Sequence, residues 1–221
     1  MINFLLETLG VWLIFLIFFV MTKFGKPFYK QEYRIYLGAF LISVVLSILL
    51  MLDIRIPVLH QVIVNGPLSF ALFYVVMFVG ALKNKSKFKM VLLRVRRQMA
   101  FLGFVFLVPH VVYRLSLALS GYNSTGIIAF ILMIPLVITS IPKVRRKLKG
   151  NTWKNVHKAA YIVYAMIYIH LAFTLYVSNG TFSIMFSKYS WLYHIIFVIY
   201  LALKIKNDIV VRFKKTKMSI G

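Results

Sequence analysis

Apolar runs separated by short basic or polar stretches organise this sequence, at about residues 3–21, 35–52, 67–82, 98–119, 126–142, 158–177 and 186–203. Their lengths are near the ~20 residues a helix needs to cross a ~30 Å hydrocarbon layer. The pattern predicts an all-α fold, a polytopic membrane helix bundle of about seven transmembrane helices. The polar stretches are too short to hold a second domain, so residues 1–221 read as a single membrane domain.

Composition agrees with that pattern: 62% of the 221 residues are hydrophobic and only 14% are charged. The net charge of +23 would suggest a nucleic-acid partner in a soluble chain. Here the cations fall into alternate connections instead. Residues 22–34 carry four, 83–97 seven, 143–158 seven and 204–221 six, which is 24 of the 27 Lys and Arg residues. Arg55, Arg114 and Lys188 are left for the opposite side. The positive-inside pattern predicts an N-terminus outside, a cytoplasmic C-terminus and no nucleic-acid role. Basic loops also suit anionic lipid headgroups or an acidic cytoplasmic partner.

The first run has no basic segment before it and no small-residue cleavage site, so it is expected to be a retained helix rather than a signal peptide. Residues 1–34 thus form an N-terminal helix with a basic loop, and 204–221 a basic cytoplasmic tail. Cysteine is absent, which excludes disulfides, cysteine-ligated iron–sulfur clusters, thiol catalysis and CxxCH-type haem attachment. There is no GxGxxG fingerprint, no P-loop and no flavin or nicotinamide domain. If the chain moves electrons, another molecule supplies them.

The candidate chemistry lies in the histidines. His110 in FLGFVFLVPHVVYRL and His170 in AAYIVYAMIYIHLAF each follow a basic boundary, Arg97 and His157, by 13 residues. In helices running the same way, that spacing puts both imidazoles at one level, ~20 Å from the inner end. Ionisable side chains at such depth usually mark a site, and paired imidazoles in a bundle without another ligand set point to haem iron. With no covalent attachment possible, the haem would be of b type. Pro109 lacks an N–H, so it should leave a carbonyl one turn earlier unpaired beside His110.

The inner level is less regular. Arg97 stands on one helix where the other has His157, and 13 steps of ~100° put His157 ~220° around its helix from His170. Periodicity alone therefore leaves three arrangements open: a bulge that resets the phase, two haems approached from different directions, or an interfacial histidine beside Lys158. Arg114 lies one turn beyond His110, where it could pair with haem propionates or snorkel to headgroups. Arg96, Arg97 and Lys158 could hold inner propionates or anchor helices. His194 lies at a depth similar to the histidine pair and is the rival ligand, or else part of an interface belt with Trp191 and Tyr193. His60, in the outer segment DIRIPVLHQVIVNG, is expected to be solvent-exposed. Tyr161, Tyr164 and Tyr168 recur along one helix and are expected to serve in packing.

The stretch RRQMAFLGFVFLVPH, then Thr139 and Ser140, then WKNVHKAAY with Trp153, His157 and Tyr161, then His170, resembles the ferric-reductase-like transmembrane domain family. The likeness covers about residues 95–175 and is nearest to the haem-binding membrane subunit of the bacterial methionine-sulfoxide reductase system. It implies a six-helix haem-binding core over residues 35–203, preceded by one extra helix, with the histidines on the fourth and sixth helices. It implies one or two haem b groups held by His110, His170 and His157; this chain departs at Arg97 from members with four histidines, and Arg114 and Arg97 are candidate cofactor contacts from their positions, with FMN or a quinone as additional candidates. The expected function is that of a membrane b-type cytochrome in the bacterial cytoplasmic membrane, the electron-transfer subunit of an oxidoreductase. Its donor would be a cytoplasmic flavin reductase or quinol, and its acceptor an extracytoplasmic methionine-sulfoxide reductase or ferric iron. The alternatives are a stand-alone transmembrane ferric reductase and a non-redox transporter or scaffold.

Overall fold

The computed structural model describes residues 2–54, 56–84, 86–178, 181–186 and 190–220. Arg55 and Lys188, two of the cations assigned to the sparsely charged side, lie outside the described residues, as do the side chains of the tail from 211 onward. The chain is mostly helical. In order come α1 (Ile2–Glu7), α2 (Leu9–Lys30), α3 (Glu32–Met51), α4 (Pro57–Val64), α5 (Pro67–Phe78, extended by a 3-10 turn Val79–Ala81) and α6 (Lys87–Leu119). They are followed by α7 (Thr125–Ser140), α8 (Pro142–Lys147), α9 (Gly150–Ala172), the strands β1 (Thr174–Ser178) and β2 (Thr181–Met185), and α10 (Ser190–Ile220).

Among the described residues three helices, α2, α3 and α6, are long and apolar enough to cross a membrane. The pair Pro57–Val64 and Pro67–Ala81, bent by 45°, makes a fourth if it counts as one span, while α7 is apolar but shorter. Apolar surface turned outward, such as Phe40, Leu41 and Ile48 of α3, is what lipid would cover.

The core sits around α5. Its sequence PLSFALFYVVMF is apolar on every side, and every residue from Phe70 to Met77 is buried; a helix without a polar face belongs inside. α2 and α6 pack against it through Ile14, Met21, Val95 and Met99. α10 is tied to it by the Tyr74 hydroxyl, which donates to the Ile196 carbonyl at 2.7 Å. Phe73 joins α5 to a second cluster with Ala129 and Met133 of α7 and Val163 of α9.

The carbonyl one turn before Pro109 finds a donor from another helix. α6 runs through Pro109, and the buried Ser43 of α3 donates its hydroxyl to the Val105 carbonyl at 2.8 Å. The Ser43→Ala variant is expected to lose ~1 kcal/mol of stability, read as a lower midpoint in detergent melting with no change at the histidines.

Several boundaries differ from the sequence reading. The helix expected over 158–177 begins at Gly150 and ends at Ala172, where Thr174, Tyr176 and Val177 continue in a strand. β-branched and aromatic residues favour an extended chain once helical packing partners end. The basic segment 22–34, read as a loop, is largely helical, with a non-helical step at Phe24. The segment that carries His60, expected to be an outer loop, is not a loop either: Pro57 opens α4 there, at the helix position where proline's missing N–H costs nothing.

Candidate functional site

Three helix ends and two long helices meet around one cavity. α4 stops at Val64, and the chain turns through Asn65 and Gly66 before Pro67 starts α5. Gly66 has φ +67°, a left-handed conformation that glycine adopts without strain. The last carbonyls of a helix lack donors within it, and the Val64 carbonyl instead accepts from His110 Nδ1 at 2.6 Å. That bond fixes the ring and its tautomer, leaving Nε2 free to take a ligand. A Cβ at residue 66 would sit 3.4 Å from the same Nδ1, so the turn closes tightly over the imidazole.

His170 approaches from α9. Its ring lies over Gly126 near the start of α7, so closely that a Cβ there would come within 2.7 Å of Cε1. Its Nδ1 is buried without a hydrogen-bond partner, and its carbonyl accepts from Asn123 Nδ2 at 3.0 Å. The two rings stand with centroids 6.2 Å apart and planes at 86°.

Between and around them is a partly open cleft, about 720 Å³ when the solvent-open space at its mouth is included. Its walls are mainly apolar, with Phe70, Phe73, Leu107 and Met133 among them. The polar groups are few: Asn65, Ser69, Arg114, Asn123 and the two histidines. Ser69 Oγ is buried without a partner. Arg114 reaches Asn65 Oδ1 at 3.4 Å and lies against the Tyr113 ring.

These residues fit a metal-centred macrocycle. His110 and His170, their ring centroids 6.2 Å apart at the cavity, are the residues that would hold its metal. An apolar cleft with a single cation at its wall suits a flat group that is apolar except for its acid side chains. Among the described residues no cluster of three or more His, Cys, Asp or Glu could hold a bare metal ion.

The other predicted residues lie elsewhere. His157 stacks on Trp153 with centroids 4.2 Å apart, and its Nε2 is 3.3 Å from the Thr139 hydroxyl, which itself donates to the Pro135 carbonyl. Arg145 covers the other ring of this stack, 4.6 Å from the Trp153 centroid. Arg97 does not line the cavity or face His157: it pairs with Glu32 of α3, and Gln98 donates to the same carboxylate at 2.8 Å. The reason is helical phase, since 13 residues turn Arg97 ~220° away from His110. His194 also stays out of the cavity; its Nδ1 is 2.8 Å from the Tyr168 hydroxyl and its ring packs on Phe173. His60 is not solvent-exposed, because α4 lays its ring edge-on to Tyr113 at 5.5 Å, with Nδ1 buried. Sequence reasoning passed over Gly66, Ser69, Asn123 and Gly126, although the turn signals NGP and YNSTG mark three of them.

Residues 65–168 match the family described as ferric reductase like transmembrane component; the match starts at the turn over His110 and ends two residues before His170. An uncharacterized protein of Treponema pallidum is 31% identical over 134 residues, 54% of this chain and 37% of that protein. Magnetosome protein MamZ is 36% identical over 55 residues in Magnetospirillum gryphiswaldense and 34% over 55 in Paramagnetospirillum magneticum, in each case 25% of this chain and 8% of MamZ. The chain thus spans well under half of these relatives. No solved structure matches.

Proposed function

With residues 65–168 a ferric reductase-like transmembrane component, we propose that this chain is a membrane b-type cytochrome that carries electrons across the bilayer. The observation that carries the reading is the His110–His170 pair, presented by two helices across an apolar cavity at 6.2 Å. One haem b, held between these two imidazoles, would supply one-electron chemistry there. The chain's own residues do the rest. Val64 aims His110, Gly126 makes room for His170, and the apolar walls restrict water. Arg114, at the cavity wall beside Asn65, is the cation placed to meet a propionate.

The bundle crosses the membrane seven times in this proposal, with the N-terminus outside, the C-terminus in the cytoplasm of a bacterial cell and the histidine cavity toward the outer face. Outward electron transfer is then favoured by ~2.3 kcal/mol per 100 mV for a full crossing. A cavity ~20 Å from the level of Arg97 and His157 needs a donor that enters the membrane, such as a quinol, or one seated at the inner face, such as a flavin. The acceptor is an extracytoplasmic methionine-sulfoxide reductase or ferric iron. His157 belongs to the inner face, where its immediate neighbours are Trp153 and Thr139 rather than another histidine, so a single haem is proposed.

The test is a reduced-minus-oxidised spectrum of the purified chain produced with ample haem. One haem per chain and a Soret band that shifts on reduction are expected. Folded protein with no Soret band would defeat the proposal, and two haems per chain would make His157 a ligand after all.

A further inference from the structure

We propose that the β1–β2 hairpin is an interfacial membrane anchor: it lies in the headgroup and upper acyl layer at the histidine end of the bundle and holds the α6–α7 connection over the cavity. This depends on the chain spanning a membrane and not on haem. The strands pair antiparallel with Leu175 opposite Ile184 and Val177 opposite Phe182. Opposed and alternate residues share a face, so Leu175, Val177, Phe182 and Ile184 make one wholly apolar side. Thr174, Tyr176, Ser183 and Met185 make the other.

Val177, Phe182 and Ile184 are each about half exposed on that apolar side. A two-stranded hairpin is marginal in water unless its apolar face is covered. Charge points to lipid as the cover. Residues 171–186 include no Asp, Glu, Lys or Arg, in a chain whose inner connections are dense with cations. The hairpin is also continuous with the surface that faces hydrocarbon, because it leaves α9 directly and precedes α10, whose exposed Trp191 is an interface-type residue. Amphipathic helices settle ~5–10 Å into the boundary layer, and the hairpin's apolar face belongs to the same zone in this proposal.

The polar face explains what the anchor holds. Tyr122 bridges to Tyr176, their rings 6.1 Å apart, and Val177 N–H donates to the Gly121 carbonyl at 3.2 Å. The next residue, Asn123, holds the His170 carbonyl. A hairpin seated in the membrane thereby fixes the connection that borders the histidine cavity.

The absence of native cysteine makes the test direct. Phe182→Cys, Ile184→Cys and Ser183→Cys are spin-labelled in the full chain and reconstituted into phosphatidylcholine–phosphatidylglycerol vesicles. Collision with oxygen and with a water-soluble nickel chelate is then measured, with exposed Ile131→Cys of α7 as the lipid reference and exposed Lys83→Cys as the water reference. The oxygen-to-nickel ratio at 182 and 184 should exceed that at 83 by several-fold and approach that at 131, with 183 lower than both its neighbours. Ratios at 182 and 184 equal to that at 83 would overturn the anchor, as would low collision with both reagents, which means protein covers the face. If 131 itself matched 83, the membrane reading would fail first.

Discussion

Purified His110→Ala and His170→Ala variants are expected to lose essentially all of the Soret absorbance proposed for the unsubstituted chain, each alone as completely as both together. The two rings meet at a single cavity, and removal of either would leave the proposed haem held from one side only. Non-additivity is the signature of groups that act as one unit. His194→Ala should keep the spectrum, because that ring is occupied by Tyr168 and lies outside the cavity. His157→Ala should keep most of it, since its nearest partners are Trp153 and Thr139. Loss of the band in His194→Ala with retention in His110→Ala would reassign the site.

Gly126→Ala should cost haem while sparing the fold. The added methyl would meet Cε1 of His170 at 2.7 Å and Nδ1 at 2.9 Å, closer than van der Waals contact allows. The obstacle is the end of a rotatable side chain, so the ring yields before the helices do. Displacement of a ligand by a fraction of an ångström is of the kind that lowers metal affinity ~10–100-fold. Haem content after purification should fall steeply, while the melting midpoint of haem-free protein stays near that of Gly38→Ala, where a Cβ meets nothing within 4 Å. A fully loaded Gly126→Ala protein would show that His170 is not held against α7.

Much of this site could be read from spacing. Equal distances from Arg97 to His110 and from His157 to His170 set a common depth, and depth is what brought the two rings together. Azimuth was harder. The ~220° rotation over 13 residues separates His157 from His170 in azimuth, and the same arithmetic turns Arg97 toward Glu32. Its neighbour Arg96, 14 residues from His110, returns to the cavity-facing azimuth, a point that matching motifs at equal offsets conceals. The hairpin was invisible because LAFTLYVS is as apolar as the helix before it, and hydropathy sums cannot separate a strand from the end of a span. His60 was misplaced for a local reason: DIRIPVLHQ reads as a polar connection, yet proline at a helix start is favourable.

The acceptor that orients His110 is a main-chain atom. Exchange of Val64 for another residue of similar size therefore leaves the ring's aim intact, and a mutational scan at that position should be nearly silent. What sets the aim is the place where α4 stops, so one residue added or deleted between Gln61 and Gly66 would rotate that carbonyl away with every atom type unchanged. Heritable control of this imidazole's direction thus resides in the length of a segment rather than in its alphabet.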